Sequence, residues 1–507
     1  MSDYLLGIDL GTSGSKALLM KDDGSLCGTA THSYDTQMPR PSWTEQAPEA
    51  WWTATVKSLR AVLDECGVDG EQVAAVGLTG QMHGLVVLDE EGTVLRPAIL
   101  WNDQRTGKQC EAITEQVGPE RIVEWTGNPV LPGFTAPKIE WIRAHEPEVF
   151  EQIATVLLPK DYVRYRLTDT PATDVSDASG TSLFDVERRQ WSEAMLDALG
   201  IPEAWLPQVT ESTAVSAHIH REGARATGLQ QGTPVVGGAG DQAAGAVGTG
   251  ATQEGIVSIT LGTSGVVFAA SKSYRVDPDG RLHAFCHAVP DTWHLMGVML
   301  SAAGSLQWFR QAVWNGNSDD EAAFDDILAA AREARPGAEG LLFLPYLSGE
   351  RTPHADPHAR GVYFGLHLRH ERCHLARAVL EGVAFGLRDS LGLMRRLGIR
   401  AEEVRVSGGG AQSPLWRQIL ADVLDRPVVH ATTPHGAGLG AALLAGVGVD
   451  LFADVAEATS VVYREAGRTA PTDSVATYDA MYARYQALYP VLRDQFAALS
   501  ETSDRLF

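Results

Sequence analysis

Leu5-Leu6-Gly7-Ile8-Asp9-Leu10-Gly11-Thr12-Ser13-Gly14-Ser15-Lys16 decides the reading of this 507-residue chain, because its core words return halfway along. Ile259-Thr260-Leu261-Gly262-Thr263-Ser264-Gly265 repeats the pentapeptide Leu-Gly-Thr-Ser-Gly. Each copy has the pattern of a buried strand running into a tight turn. Apolar residues come first, then glycine and hydroxyl residues that tolerate positive φ and leave N–H groups and hydroxyls converging on one spot. Such a nest suits phosphate, and Asp9 at the end of the first strand adds a carboxylate able to hold Mg²⁺ through water. A repeat at this separation predicts two related halves facing each other across a nucleotide. Neither copy is a Walker A loop, and no Gly-x-Gly-x-x-Gly fingerprint follows a strand, so P-loop and dinucleotide folds lose ground.

With 44% hydrophobic and 21% charged residues the chain has ordinary globular composition and enough length for two large domains. Its net charge of −23 argues against nucleic acid or an anionic membrane as partner, so any anionic ligand must be held by local donors. Cys27, Cys66, Cys110, Cys286 and Cys373 are scattered singly, which suggests neither a disulfide framework nor a zinc site and fits a reducing cytoplasm. The first apolar run is broken by Asp9 and lacks a basic leader, so it reads as a strand and not a signal peptide. The Ala- and Gly-rich run from Leu439 to Val449 is too short to span a bilayer.

Outward from the first turn, Lys16–Met20 and the stretch from Leu26 read as strands joined at Asp22-Asp23-Gly24, and a helix with Pro48 near its start follows through Trp51, Val56, Leu59 and Leu63. Val73–Leu78 is a buried strand ending in Thr79-Gly80-Gln81-Met82-His83-Gly84, where glycines flanking Gln, Met and His suggest the edge of a site. Ile99-Leu100-Trp101-Asn102-Asp103-Gln104-Arg105 repeats the pattern of an apolar strand capped by polar residues. The mainly helical stretch from 127 to 167, with Leu158-Pro159-Lys160-Asp161-Tyr162 and then Thr173-Asp174-Val175-Ser176-Asp177-Ala178-Ser179-Gly180-Thr181, is expected to cover the substrate. At Thr233–Ala246 a strand, a glycine turn and a small-residue helix put Asp241 at a helix start, where it is either an N-cap or a general base, the glycines upstream favouring the base. A helix start is expected at Pro336, a long amphipathic helix over His374–Leu397, and a third strand-to-glycine turn at Val404–Ser413.

Taken together, Asp9–Ser13, Gly80–Gly84, Leu100–Arg105, Gly133–Trp141, Gly240–Gln242, Leu347–His354, Gly361–Glu381 and Ser407–Ser413 resemble the FGGY family of carbohydrate kinases over nearly the whole chain. The resemblance implies an α/β fold of two ribonuclease-H-like (actin-like ATPase) domains with a cleft between them. The sugar would be bound mainly by residues 1–245 and ATP mainly by 246–507. It implies phosphorylation of D-xylulose to the 5-phosphate with ATP and Mg²⁺. Asp241 would be the base, Asp9 would orient Mg²⁺ through water, and Gln81, Met82, His83, Asp103 and Gln242 would surround the ketose. Thr12, Ser13, Gly262 and Thr263 would approach the phosphates, Gly409, Gly410 and Ser413 the adenosine, and Trp308 the adenine.

Other readings stay open at this point. His83 also reads as a strand-end residue satisfied by backbone, Trp308 as core, and Arg351-Thr352-Pro353-His354 as loop structure. His435 stands where relatives carry an acidic residue, a change expected to touch only the turn before the last long helix. Ribulose, gluconate and glycerol are alternative substrates, and an ATP-gated binding protein on the same scaffold is an alternative function. A homodimer is the expected assembly.

Overall fold

The computed structural model describes residues 4–314, 322–431 and 436–506; His435 lies outside them. In the first lobe β1 (Tyr4–Leu10) turns back into β2 (Gly14–Lys21) and then β3 (Leu26–Ser33), while β4 (Val73–Gly80) runs parallel to β1 on its other side. Helix α1 (Pro48–Cys66) connects them, starting at Pro48 and ending where Gly67 takes a left-handed φ of 63°. With β5 (Val215–His218), β6 (Pro234–Val236) and β7 (Ala239–Gly240) the sheet runs β5-β6-β4-β1-β2-β3, with β7 beside β4. One face is sealed by Trp51, Leu59 and Val62 of α1 and by Tyr162 and Val163 of α2 (Pro159–Thr168). From β7 the chain passes directly into α3 (Asp241–Thr249).

The second lobe repeats this plan. β8 (Gly255–Leu261) turns into β9 (Gly265–Ser271), and β10 (His283–Cys286) and β11 (Trp293–Met299) extend the antiparallel side. β12 (Ala401–Ser407) and β13 (Val428–Ala431) run parallel to β8, and β14 (Glu465–Thr469) closes the edge, giving β10-β11-β9-β8-β12-β13-β14. In each lobe, therefore, an antiparallel hairpin carrying the repeated pentapeptide is flanked by a parallel strand ending in glycines. The repeat predicted two related halves, and the arrangement is the ribonuclease-H-like one that the family resemblance implied. Helix α4 (Arg372–Arg396) supplies much of this lobe's core, together with α5 (Pro414–Leu424).

The two lobes are not simply consecutive halves of the chain. Helix α6 (Gly436–Gly448), late in the sequence, lies against β1 and β4 of the first lobe and against α3. The approach is backbone to backbone: a Cβ on Gly7 would sit 2.0 Å from the Gly438 carbonyl oxygen, and one on Gly440 would sit 1.9 Å from that of Ala244. That packing explains the Ala/Gly-rich run, since a helix apolar on all sides is one buried on all sides. It buries Leu439, Leu443 and Leu444 against Leu5, Leu18 and Val247. The last helix (Val475–Leu506) packs Tyr478 and Tyr485 into the second core, and no helix among the described residues is long and apolar enough to cross a membrane. At Pro336 a full helix is not formed. Only the single turn Ala338–Gly340 appears, because Gly337, Glu339 and Gly340 take positive φ.

Candidate active site

Asp9, Asp241 and Thr260 share the wall of a cavity of about 780 Å³ that opens between the lobes. Asp9 and Thr260 come from corresponding positions of the two repeats, each one residue before the Leu-Gly-Thr-Ser-Gly turn. Gly11 belongs to this wall, while Thr12 and Ser13 sit in the same turn outside it. The turn is tightly fixed: Gly11 N–H donates to the Gly14 carbonyl at 3.0 Å, the Tyr34 hydroxyl donates to the Gly11 carbonyl, and Gln46 Nε2 donates to that of Thr12 at 2.7 Å. Its carbonyls are thus engaged from behind, and Trp101 Nε1 donates to Thr12 Oγ1 at 3.1 Å.

A second cavity of about 690 Å³ joins the first through Gly409 and Gln412, which line both. Gly262, Thr263, Gly410 and Ser413 border it, as do the apolar Leu306, Phe324 and Leu328. The Thr263 carbonyl accepts from Ala302 and Gly304 N–H, so the second turn is pinned to the start of the helix Ala303–Phe309. Ser413 Oγ accepts from Trp416 N–H at 3.3 Å as the N-cap of α5. The first cavity is thus walled by Asp9, Asp241 and the glycines Gly11, Gly408 and Gly409, and is continuous with one bordered by Gly262, Thr263 and apolar side chains, a concave polar-and-apolar setting of the kind that takes small ligands.

Asp241 is the first residue of α3 and does not cap it, because Gly240 occupies the N-cap position. Burial, then the nearby Asp9 carboxylate, pushes it up to about 7, partly offset by Gln242 Nε2 donating at 3.3 Å. Asp9 is likewise raised by burial, with Lys16 opposing. Two carboxylates lining one cavity, each raised by burial, suit a hydrated divalent cation, which takes one or two carboxylates and completes its shell with water and phosphate. No cluster of three or more His, Cys, Asp or Glu among the described residues can hold a metal alone. The donor set therefore fits Mg²⁺ arriving with a nucleotide.

Gln81, Met82 and His83 are not part of this cavity's lining. A Cβ on Gly240 would be 2.9 Å from the Met82 sulfur, which brings Met82 to the residue preceding Asp241. His83 adopts φ of 69° and stacks on Phe134 with ring centroids 4.5 Å apart. Its Nδ1 donates to the Gly180 carbonyl at 2.7 Å; burial pushes its pKa down to about 3, so the neutral ring keeps a lone pair on Nε2. The His83 carbonyl accepts from Lys138 Nζ at 2.8 Å. Gln81 Nε2 donates to Gln46 Oε1 at 3.1 Å, while its own Oε1 is buried without a partner.

Two expected contacts take other places. Asp103 is fully buried, and its oxygens accept from Thr44 N–H at 2.5 Å, Arg105 N–H and Nε at 2.9 Å each, and Arg105 Nη2 at 2.7 Å. That saturates the carboxylate and leaves nothing for a sugar hydroxyl. Trp308 stacks on Phe343 (5.8 Å, 13°) and belongs to neither cavity wall, because its position on the helix Ala303–Phe309 turns it toward the second core. Conversely Ser258, Thr260, Ser407 and Gln412 line the first cavity, although the sequence motifs that hold three of them gave these residues no site role. Thr260 was within reach, since aligning the two repeats puts it opposite Asp9.

Residues 4–248 match the N-terminal domain, and 257–449 the C-terminal domain, of the FGGY family of carbohydrate kinases. The chain is 43% identical to a xylulose kinase of Escherichia coli strain K12 over 488 residues, covering 96% of this chain and 99% of that one. It is 37% identical to a xylulose kinase of Bacillus subtilis strain 168, covering 98% of each. The solved xylulose kinase from Rhodospirillum rubrum superimposes with a TM-score of 0.92 at 32% identity, covering 97% of this chain and 100% of that one. The gluconate kinase from Lactobacillus acidophilus reaches 0.93 at 26% identity, covering 98% of this chain and 100% of that one.

Proposed function

We propose, from the premise that the chain belongs to the FGGY family of carbohydrate kinases, that it transfers the γ-phosphoryl group of ATP to D-xylulose and that Asp241 is the general base. The observation that carries the base assignment is the position of Asp241 at the start of α3, on the same cavity wall as Asp9 and Thr260 and next to the segment that contacts Met82. Phosphoryl transfer asks a protein mainly for alignment and for stabilisation of charge. The two glycine turns supply converging donors for the phosphates, and the apolar cavity beside Gly410 and Ser413 takes the adenosine. First-lobe residues would hold the ketose, second-lobe residues most of the ATP.

In this reading His83 accepts a hydrogen bond from a ketose hydroxyl through Nε2, the orientation being fixed by the bond from Nδ1 to Gly180. As the sugar hydroxyl oxygen bonds to the γ-phosphorus and ADP leaves, Asp241 takes the hydroxyl proton. With its pKa near neutrality, the carboxylate is matched to an alcohol that turns acidic only as the new bond forms. Asp9 would hold Mg²⁺ through water, and the cation would supply charge neutralisation at the phosphate oxygens. Asp103 is assigned to the architecture behind the site and Trp308 to the core.

The test is the purified protein with ATP, Mg²⁺ and a panel of ketoses and polyols. ADP release is expected to be fastest with D-xylulose, and a preference for gluconate, glycerol or ribulose overturns the substrate. Asp241→Ala is expected to lower sugar-stimulated ADP release by about three orders of magnitude or more while nucleotide binding persists. Retained turnover would instead favour an ATP-gated binding protein.

A further inference from the structure

Pro159-Lys160-Asp161 and Thr173-Asp174-Val175-Ser176-Asp177 take no part in the transfer chemistry, yet they meet in the first lobe as a buried ion cluster. Lys160 Nζ lies 2.6 Å from Asp161 Oδ1, 2.9 Å from Asp174 Oδ1 and 3.2 Å from Asp177 Oδ2. Arg164 Nη2 lies 3.6 Å from Asp161 Oδ1. None of these five side chains reaches solvent. Desolvating that many charges offsets much or all of their mutual attraction, so such a cluster is a poor source of stability, and its use lies in what it holds.

What it holds are the two segments that present the transfer site. Arg164 Nη2 donates to the Gly237 carbonyl at one end of the glycine segment before α3. At the other end Gly240 N–H, one residue before Asp241, donates to Ser176 Oγ at 3.1 Å. Ser176 is itself fixed by Asp174, whose Oδ2 accepts from its N–H at 2.8 Å and its hydroxyl at 2.5 Å, with Ser212 Oγ donating to the same oxygen at 3.1 Å. On the far side the Asp177 carbonyl accepts from Gly180 N–H at 3.0 Å, and Gly180 is the residue whose carbonyl orients His83.

We propose that this cluster is the positioning scaffold of the kinase site, with Asp174 acting through Ser176 to fix the backbone from which the Asp241 carboxylate projects. The inference rests on the reading of Asp241 as the base. Asp174 and Ser176 are positioning residues that touch no reacting atom, and a misplacement of about 1 Å in a reacting group costs on the order of a hundredfold in rate.

The experiment is Ser176→Ala in the full chain, assayed with ATP, Mg²⁺ and D-xylulose. Expected is a fall in kcat of about ten- to a hundredfold with KM for both substrates within about threefold, since the lost hydroxyl frees Gly240 without removing a substrate contact. Thr168→Ala is the control: it deletes a buried hydroxyl bonded at 2.9 Å to the Arg164 carbonyl in α2, away from Gly240, and is expected to keep kcat within about twofold. A Ser176→Ala kcat within threefold of the parent overturns the proposal, as does a fall no larger than that of Thr168→Ala. If Ser176→Ala does not fold, the same thresholds apply to Asp174→Asn. Asp241→Ala separates the two levels: turnover retained there sinks the base assignment, whereas a dead Asp241→Ala beside a normal Ser176→Ala sinks only the scaffold.

Discussion

The two Leu-Gly-Thr-Ser-Gly turns share their backbone plan and differ in the residue that precedes them. In the first lobe Asp9 pairs across the hairpin with Lys16 and along the parallel edge with Thr79; in the second, Thr260 pairs with Val266 and Ser407. Thr260 and Ser407 hydroxyls are 3.2 Å apart, a neutral pair where the first lobe has an ionisable one. The first turn is anchored by side chains of its own lobe, Tyr34 and Gln46, and the second by the backbone of a following helix. Duplication thus supplies two glycine turns of one backbone plan, and a single side chain at the matching position puts a carboxylate in the first lobe and a hydroxyl in the second.

This contrast can be broken from either side. Asp9→Asn removes the charge that distinguishes the first turn, and turnover is expected to fall by about two to three orders of magnitude with a higher Mg²⁺ requirement, read by steady-state kinetics over a magnesium series. If turnover and magnesium dependence are unchanged, the first turn has no special metal role. Thr260→Asp imposes the first lobe's carboxylate on the second and is expected to raise KM for ATP about tenfold by like-charge repulsion, easing with added salt. An unchanged KM would place the phosphates elsewhere.

The smallest effect sharpens the picture of the two cavity-lining carboxylates. Asp241 has a folded pKa of about 7 against an ordinary value of 3.8, so the folded protein retains a proton that the unfolded chain has lost between those limits. Stability falls as pH rises through that window, and above about pH 7 the deficit is fully present, at most about 4 kcal/mol. Asp241→Asn in EDTA is therefore expected to raise Tm by a few degrees at pH 8 and to leave it unchanged near pH 4, as seen by calorimetry. Equal shifts at both pH values would assign the gain to something other than charge.

How far the sequence could be read depended on whether the deciding contacts were local. The hairpins, the glycine turns and the start of α1 at Pro48 were legible because a few adjacent residues fix their backbone. Asp103 was not, since a carboxylate after an apolar strand looks the same whether it faces a sugar or a salt bridge. Its saturation depends on Thr44, brought in from 59 positions away. Trp308 was ambiguous for a similar reason: an aromatic in an apolar run faces core or ligand according to where Phe343 lies. The cluster around Lys160 was visible only as two polar motifs in a stretch expected to cover the substrate, with nothing local to pair them with each other.

By itself the sequence determined the repeated strand-turn unit, the two-lobed fold and the acid at the start of α3, because periodicity and glycine placement act over a handful of neighbouring residues. The tertiary structure decided that α6 crosses back onto the first sheet, that Asp103 is bonded to Thr44 and Arg105 and Trp308 stacked on Phe343, and that Asp9 and Asp241 line one cavity. Those outcomes depend on packing between segments far apart in the chain, where burial and the pairing of charges, and not local propensity, select the arrangement.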